Sequence, residues 1–230
     1  MIVSIHQPQY LPWLGYFDKI AKSNIFVFLD DVQYKKNEWQ NRNKIKNAQG
    51  WQWLTVPVSY KFGQCISKVL INNAVKWRKK HLTAMTTNYN KARYFDEYGD
   101  FFQDLYNQDW EYLAELNIYI IKYLVKVLDI KTNLVRASEF KLEGRGTTHL
   151  VNICKKLGAD TYLSGIGGRD YLELKEFEKE KIKVIFQDFQ HPVYAQTYEN
   201  NIGFQLHMSI VDLLFNCGKD SLVILREGKL

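Results

Sequence analysis

The run Ser4-Ile5-His6-Gln7-Pro8-Gln9-Tyr10-Leu11-Pro12-Trp13-Leu14-Gly15-Tyr16-Phe17 gathers acid–base, amide and aromatic groups within a few positions. His6 could serve as a general acid or base, or as a neutral hydrogen-bond donor to a phosphate or carbonyl oxygen. A buried histidine satisfied by backbone is the structural alternative. Gln7 and Gln9 offer amide donors and acceptors to a polar ligand, and Tyr10 and Trp13 offer flat faces. Asp30 and Asp31 could orient a nucleophile, bind Mg2+ or hold a sugar hydroxyl, with Gln33 just beyond them. An Asp in that position also forms turns through its own backbone. Arg42 has the planar fork that clamps a phosphate or carboxylate, beside Trp39 and Asn43 in a polar segment.

A second cluster is Ser164-Gly165-Ile166-Gly167-Gly168, followed by Tyr171. Its glycines would let backbone amides converge on an anion or approach a sugar ring, or would simply make a flexible turn. The Gly-Lys-Ser/Thr ending of a Walker loop is missing, and Tyr162 stands where a nucleophile elbow needs glycine. The segment therefore reads as a binding element, with Ser164 not a nucleophile. His191 and Gln196 lie in an extended stretch with polar groups at alternating spacing, which suits a ligand contact or an edge strand. No His-x-x-x-His, paired Cys or acidic loop supplies metal spacing, so no metal ligand is expected.

These residues need elements to hold them. Ile2 to Ile5 reads as a short buried strand, and Leu14, Phe17, Ile20 and Ala21 mark one face of a helix with Pro12 near its first turn. Ile25-Phe26-Val27-Phe28-Leu29 is a continuous apolar run that suits a buried parallel strand ending at Asp30-Asp31. Further strands are expected at Trp53 to Val58, Asn133 to Arg136, Thr161 to Leu163 and Ile182 to Phe186. Helices are expected over Trp77 to Tyr89, Asp109 to Leu128 with Asp109 as N-cap, and from Thr147 or Thr148 to Leu157, stopped by Gly158. Ser209-Ile210-Val211-Asp212 matches a capping box for a helix ending at Gly218.

Alternation of strands and helices argues for α/β: a mainly parallel sheet flanked by helices, Rossmann-like or nucleotidylyltransferase-like, in one domain over residues 1–230. The helical middle, about 75–128, is expected to be an insertion or cap. Ligands of such sheets bind beyond the carboxyl ends of the strands, where His6, Asp30-Asp31 and Ser164 would meet.

Among the 230 residues, 46% are hydrophobic, enough for a core, and the aromatic share of 15% leans on tyrosine. The net charge of +6 favours anionic partners such as nucleotide phosphates, acidic sugars, RNA or an anionic membrane surface. The densest basic run, Lys76-Trp77-Arg78-Lys79-Lys80-His81, reads first as a solvated helix face. Cys65, Cys154 and Cys217 give neither a disulfide framework nor metal spacing. The stretch from Leu116 to Leu128 is broken by Lys122 and Lys126, so no membrane span is expected; with no signal peptide in view, a reducing cytoplasm is the expected location.

The run from His6 to Phe17, the strand ending Leu29-Asp30-Asp31-Val32-Gln33-Tyr34, Leu54-Thr55-Val56-Pro57-Val58, Tyr162-Leu163-Ser164-Gly165 and Ser209 to Gly218 together resemble the WbqC-like family. The resemblance runs from residue 2 to about 218, in the family's order. It implies a bacterial protein linked with O-antigen and lipopolysaccharide gene clusters. A cytoplasmic transferase acting on a nucleotide-linked amino sugar is the expectation that follows, with acyl or aminoacyl transfer to its amino group. The anionic donor could include aminoacyl-tRNA. His6, Asp30 and Asp31 would be catalytic, and Gln7, Gln9, Tyr10, Trp13, Gln33, Arg42, Asn43, Ser164, Gly165, Gly167, Gly168, Tyr171, His191 and Gln196 would bind substrate. Nucleotidyl transfer to a sugar phosphate or acid is one alternative. The His-x-Gly-His turn of nucleotidylyltransferases is absent, however, since Leu14-Gly15-Tyr16 holds no histidine. A non-catalytic glycan-, tRNA- or protein-binding module is the other. Neither cofactor nor oligomeric state follows from the residues.

Overall fold

The computed structural model describes residues 1–227. Its centre is a parallel sheet of β1 (Ile2–His6), β2 (Ile25–Phe28), β7 (Asn133–Arg136), β8 (Thr161–Ser164) and β9 (Lys183–Phe186), in the order β7-β2-β1-β8-β9. β1 pairs in register with β2 from Val3↔Ile25 to His6↔Phe28, and with β8 from Ile2↔Thr161 to Ser4↔Leu163. The chain runs outward from β1 through β2 to β7, then returns to β8 and β9 on the other side of β1. β1 and β8 therefore flank the point where strand order reverses, the place where open α/β sheets form a crevice.

Period-2 alternation decides which side each strand residue serves. Phe26 and Phe28 face α1 (Leu14–Ala21), α4 (Leu113–Val127) and α8 (Ile210–Cys217) in the larger core, while Val3, Ile5 and Val27 face α5 (Gly146–Lys156) and α6 (Leu174–Lys179). This is a Rossmann-like α/β architecture.

A long excursion separates β2 from β7. It begins with an antiparallel hairpin, β3 (Arg42–Asn47) and β4 (Gly50–Thr55), then a two-residue pair, β5 (Val58–Ser59) and β6 (Leu70–Ile71). Helices α2 (Trp77–Tyr89), α3 (Phe95–Asn107) and α4 complete it, sharing the larger core with α1 and α8. The polar segment after Asp31 thus holds a strand that apolar periodicity does not reveal, because β3 carries Arg42, Lys44 and Lys46 on one face. The strand expected from Trp53 to Val58 is divided, with its longer part starting earlier at Gly50.

Three local expectations need correction. Asp109 does not cap α4; Tyr112 occupies that position, and Asp109 pairs with Arg78 instead. α5 starts at Gly146 with Arg145 as its cap residue, ahead of both threonines. Ser209 caps α8 by accepting from the Val211 N–H, but Asp212 turns away to Tyr89 and Tyr194, so only half of the capping box forms. The stretch from His191 to Gln196 has no regular structure. Among the described residues, no helix is long and apolar enough to cross a membrane.

Candidate functional site

At the carboxyl edge of the sheet, on the α5 side, lies a cleft of about 1110 Å3. His6 and Gln7 reach it from the end of β1, Asp31 and Gln33 from beyond β2, and Ser138 from beyond β7. The loop into α5 contributes Lys141, Gly144 and Arg145, and the helix itself His149 and Leu150. Lys35, Cys65 and Tyr171 complete much of the rim. Among the described lining residues there are three cations, Lys35, Lys141 and Arg145, and one carboxylate, Asp31, so the cleft favours an anionic occupant.

Asp31 and His149 form the pair most suited to chemistry. His149 Nε2 lies 3.0 Å from Asp31 Oδ2, and this hydrogen bond raises the imidazole pKa above its ordinary 6.5 against the opposing effect of burial. Among the described residues, Asp31 Oδ1, His149 Nδ1 and His6 Nδ1 are buried with no partner in hydrogen-bond geometry, although the Glu143 backbone is near enough to His149 to help raise its pKa. Buried polar atoms are rarely left unpaired, because each one forfeits its hydration. Three such atoms on residues of one cleft mark a place built to receive hydrogen-bonding groups.

His6 differs from His149 in character. Its ring stacks on Tyr16 at 4.9 Å, and burial together with the nearby Lys19 charge pushes its pKa well below the ordinary value. A neutral imidazole at physiological pH donates or accepts a hydrogen bond and carries no charge to an anion. Lys19 is itself buried; among the described residues its Nζ donates to the Ile5 carbonyl alone, at 3.4 Å, and burial pushes its pKa down to about 7.

The other expected residues divide. Gln7 lines the cleft, held by Gln40 Nε2 donating to its Oε1 at 2.6 Å and by Tyr16 donating to its carbonyl at 3.1 Å. Gln33 and Tyr171 are also on it. Asp30 is not: its carboxylate is consumed by Arg136 at 2.8 Å and by the Ser138 N–H and hydroxyl at 3.0 and 2.8 Å, which ties β2 to the end of β7. Gln9 is buried off the cleft, and Tyr10 is a core residue bonded to Tyr106 and His81. Asn43 donates to the Leu11 carbonyl at 2.7 Å from inside the core. Trp13 lies over the first turn of α1 against Phe189 and His207, and a Cβ on Gly15 would stand 2.4 Å from its ring.

Arg42 covers the Trp53 ring at 4.4 Å and donates to the Asn37 carbonyl, away from the cleft. His191 accepts from the His207 N–H and lies beside Pro192 and Phe189, also elsewhere. Gln196 is spent inside a buried network: its amide donates to Asp212 at 2.7 Å, and its carbonyl accepts from Lys46 at 2.9 Å. Ser164 ends β8, Gly165 caps a short 3-10 turn over Ile166–Asp170, and Ser164, Gly165, Gly167 and Gly168 are not among the residues lining the cleft. Gly168 is explained by packing, since a Cβ there would sit 2.1 Å from Ser164 Oγ.

Sequence reasoning missed His149, Lys35, Lys141, Arg145 and Ser138. A signal was available in Gly144-Arg145-Gly146-Thr147-Thr148-His149, a basic, glycine-punctuated entry to a helix that follows a strand.

A Rossmann-like fold with a basic, histidine-bearing cleft at the carboxyl edge of its sheet defines the class of the protein as a parallel α/β architecture. The chain belongs to the WbqC-like protein family, which it matches over residues 7–224. It is 37% identical over 223 residues to the uncharacterized protein Rv1507c of Mycobacterium tuberculosis, covering 95% of each chain. No solved structure matches it.

Proposed function

We propose that the protein is a transferase that places an acyl or aminoacyl group on the amino group of a nucleotide-linked sugar for bacterial surface polysaccharide, with Asp31 and His149 at the reacting centre. The observation that carries this reading is the Asp31–His149 pair, whose Oδ1 and Nδ1 have no partner in hydrogen-bond geometry among the described residues. In this reading the acceptor amine is held by Asp31 Oδ1 and attacks the acyl carbon. The carbon–nitrogen bond forms as the donor's leaving group departs, and the amine proton passes to the Asp31–His149 pair. His6, kept neutral, donates to a polar oxygen of the substrate. Lys35, Lys141 and Arg145 hold phosphates, and the +6 charge of the chain aids capture. His149 takes the place that the sequence alone assigned to His6.

The test incubates the protein with nucleotide-linked amino sugars and acyl donors, aminoacyl-tRNA included, and follows mass gain on the sugar. Asp31→Asn and His149→Ala are expected to lower kcat about 100-fold or more, and His6→Ala to act less severely. Turnover with full rate in both Asp31→Asn and His149→Ala would overturn the assignment of the pair. Pyrophosphate release dependent on nucleoside triphosphate would establish nucleotidyl transfer instead, and ligand binding without any turnover would establish a binding module.

A further inference from the structure

The solvent face of the β3–β4 hairpin carries a cluster that the cleft does not use. Trp39, Trp51 and Trp53 are 38%, 43% and 36% exposed and touch one another in sequence, with ring centroids 5.6 Å and 5.7 Å apart. Lys44 Nζ lies 4.1 Å from the Trp51 ring centre, and the Arg42 guanidinium 4.4 Å from that of Trp53. Tryptophan and arginine are among the residues that most often carry binding energy at a contact, and a cation lying over an aromatic ring is attracted to its face.

The platform is rigid. Lys46, next on the same strand, is fully buried with its Nζ on Gln196 and Gly203, and its N–H donates to the Tyr89 hydroxyl at 3.0 Å. That hydroxyl in turn donates to Asp212. The hairpin is therefore bolted to α2 and α8, and the tryptophans stand on a fixed base rather than a loose ribbon.

On the opposite side of the same hairpin, Gln52 and Gln49 form one wall of a groove of about 580 Å3 whose other wall is α2, with Lys76, Lys79 and Lys80. No carboxylate is among the described lining residues, and among the described residues none of the three lysines makes an ion pair. Aromatic faces with cations on one side and a lysine-lined, amide-rich groove on the other favour a partner with one negative charge per unit and exposed flat rings.

We infer that the β3–β4 hairpin and α2 bind one single strand of nucleic acid that passes over the hairpin, with bases on the exposed parts of Trp39, Trp51 and Trp53 beside Arg42 and Lys44 on one side, and phosphates on Lys76, Lys79 and Lys80 in the groove on the other. A duplex hides its base faces and cannot use the tryptophans. Acidic glycans carry charge less densely than a nucleic acid strand, which has one phosphate per nucleotide.

The probe is a labelled single-stranded RNA of about 12 nucleotides, in the range such surfaces cover, followed by fluorescence anisotropy on the full chain. With five cations in contact, affinity is expected to fall about 100-fold between roughly 50 and 200 mM salt. Trp51→Ala with Trp53→Ala should weaken binding about 10-fold or more and leave the salt slope in place. Lys79→Glu with Lys80→Glu should weaken binding and flatten that slope. Lys44→Gln, at a half-buried site, leaves all three tryptophans in place and should weaken binding and flatten the salt slope by about one contact, a readout independent of any loss of fold in the tryptophan variants. Equal binding of the duplex, preferential binding to phosphatidylglycerol vesicles or to an acidic polysaccharide, or no RNA binding at all would each overturn the inference. The surface lies outside the cleft, so this result is separate from that of the transfer assay.

Discussion

Asp31 spends one oxygen on His149 and leaves the other bare, and that asymmetry has a measurable consequence. The bond to Asp31 is the main cause of the raised His149 pKa. Asp31→Asn should therefore lower it, which an NMR titration of the imidazole protons reads directly; an unchanged titration would uncouple the two side chains. The sign for stability follows from the same shift. A histidine whose folded pKa lies above 6.5 stabilises the fold below that value and loses this contribution as pH rises through the folded pKa. The Tm penalty of Asp31→Asn should then be larger at acidic than at alkaline pH. Lys19 behaves in the opposite sense. Its folded pKa of about 7 lies under its ordinary 10.5, so the unfolded chain holds the extra proton between those values and stability rises with pH across them. Lys19→Met should abolish that rise and stabilise the protein below neutrality by on the order of 2–4 kcal/mol, read by urea unfolding at several pH values. A steeper dependence in the variant would refute the assignment.

At the scale of elements, close packing rather than ligand chemistry accounts for the second glycine cluster. Gly168→Ala would drive a methyl into Ser164 Oγ and Leu172 at the end of β8. A loss of about 1–3 kcal/mol is expected, the usual cost of overfilling a packed site. Ser164→Ala in the same chain should recover part of it, because the hydroxyl is the nearest obstacle, and additive losses would point to a different cause. Between elements, Asp212 joins α8 to α2 through Tyr89, to the 194–196 segment through Tyr194 and Gln196, and through Gln196 to Lys46 on β3. Burial pushes its carboxyl pKa up, and these hydrogen bonds oppose the rise. Asp212→Ala leaves several buried groups without their acceptor at once. A loss of about 3–5 kcal/mol is expected, typical of breaking a buried charged network, with faster hydrogen exchange along β3 as the local readout.

For the whole molecule, the clearest expectation is linkage between cleft occupancy and unfolding. A nucleoside diphosphate sugar at about 100 times its Kd should stabilise the native state by about 2.7 kcal/mol. In a chain of this size that corresponds to a rise in Tm of about 5–10 °C. Arg145→Glu with Lys141→Glu should remove the shift while leaving the unliganded Tm nearly unchanged, because both side chains are on the cleft rim. An undiminished shift in that variant would place the anion elsewhere. The charge of +6 is then shared between two faces, a cleft lined by Lys35, Lys141 and Arg145, and a hairpin–helix surface with its own arginine and lysines.

The sheet was legible in the chain because its strands are short apolar runs that end in polar clusters. Ile2 to His6, Ile25 to Phe28 and Thr161 to Ser164 state their own burial, and α2 appears with the same bounds in both readings. The location of the crevice was legible too, since parallel strands leave it at their carboxyl ends. Which polar residues face it was not. Asp30 and Asp31 are adjacent and chemically identical, yet alternation and the β2–β7 contact send one to Arg136 and the other to His149. Tyr10, Asn43 and Gln196 are polar residues that tertiary packing buries and satisfies, and nothing local distinguishes them from Gln7 or Gln33. His149 lies 118 positions from Asp31 along the chain. Only the crossover that lays α5 over the sheet brings them together, because a site made of long-range contacts exists in the folded geometry and nowhere in the local pattern.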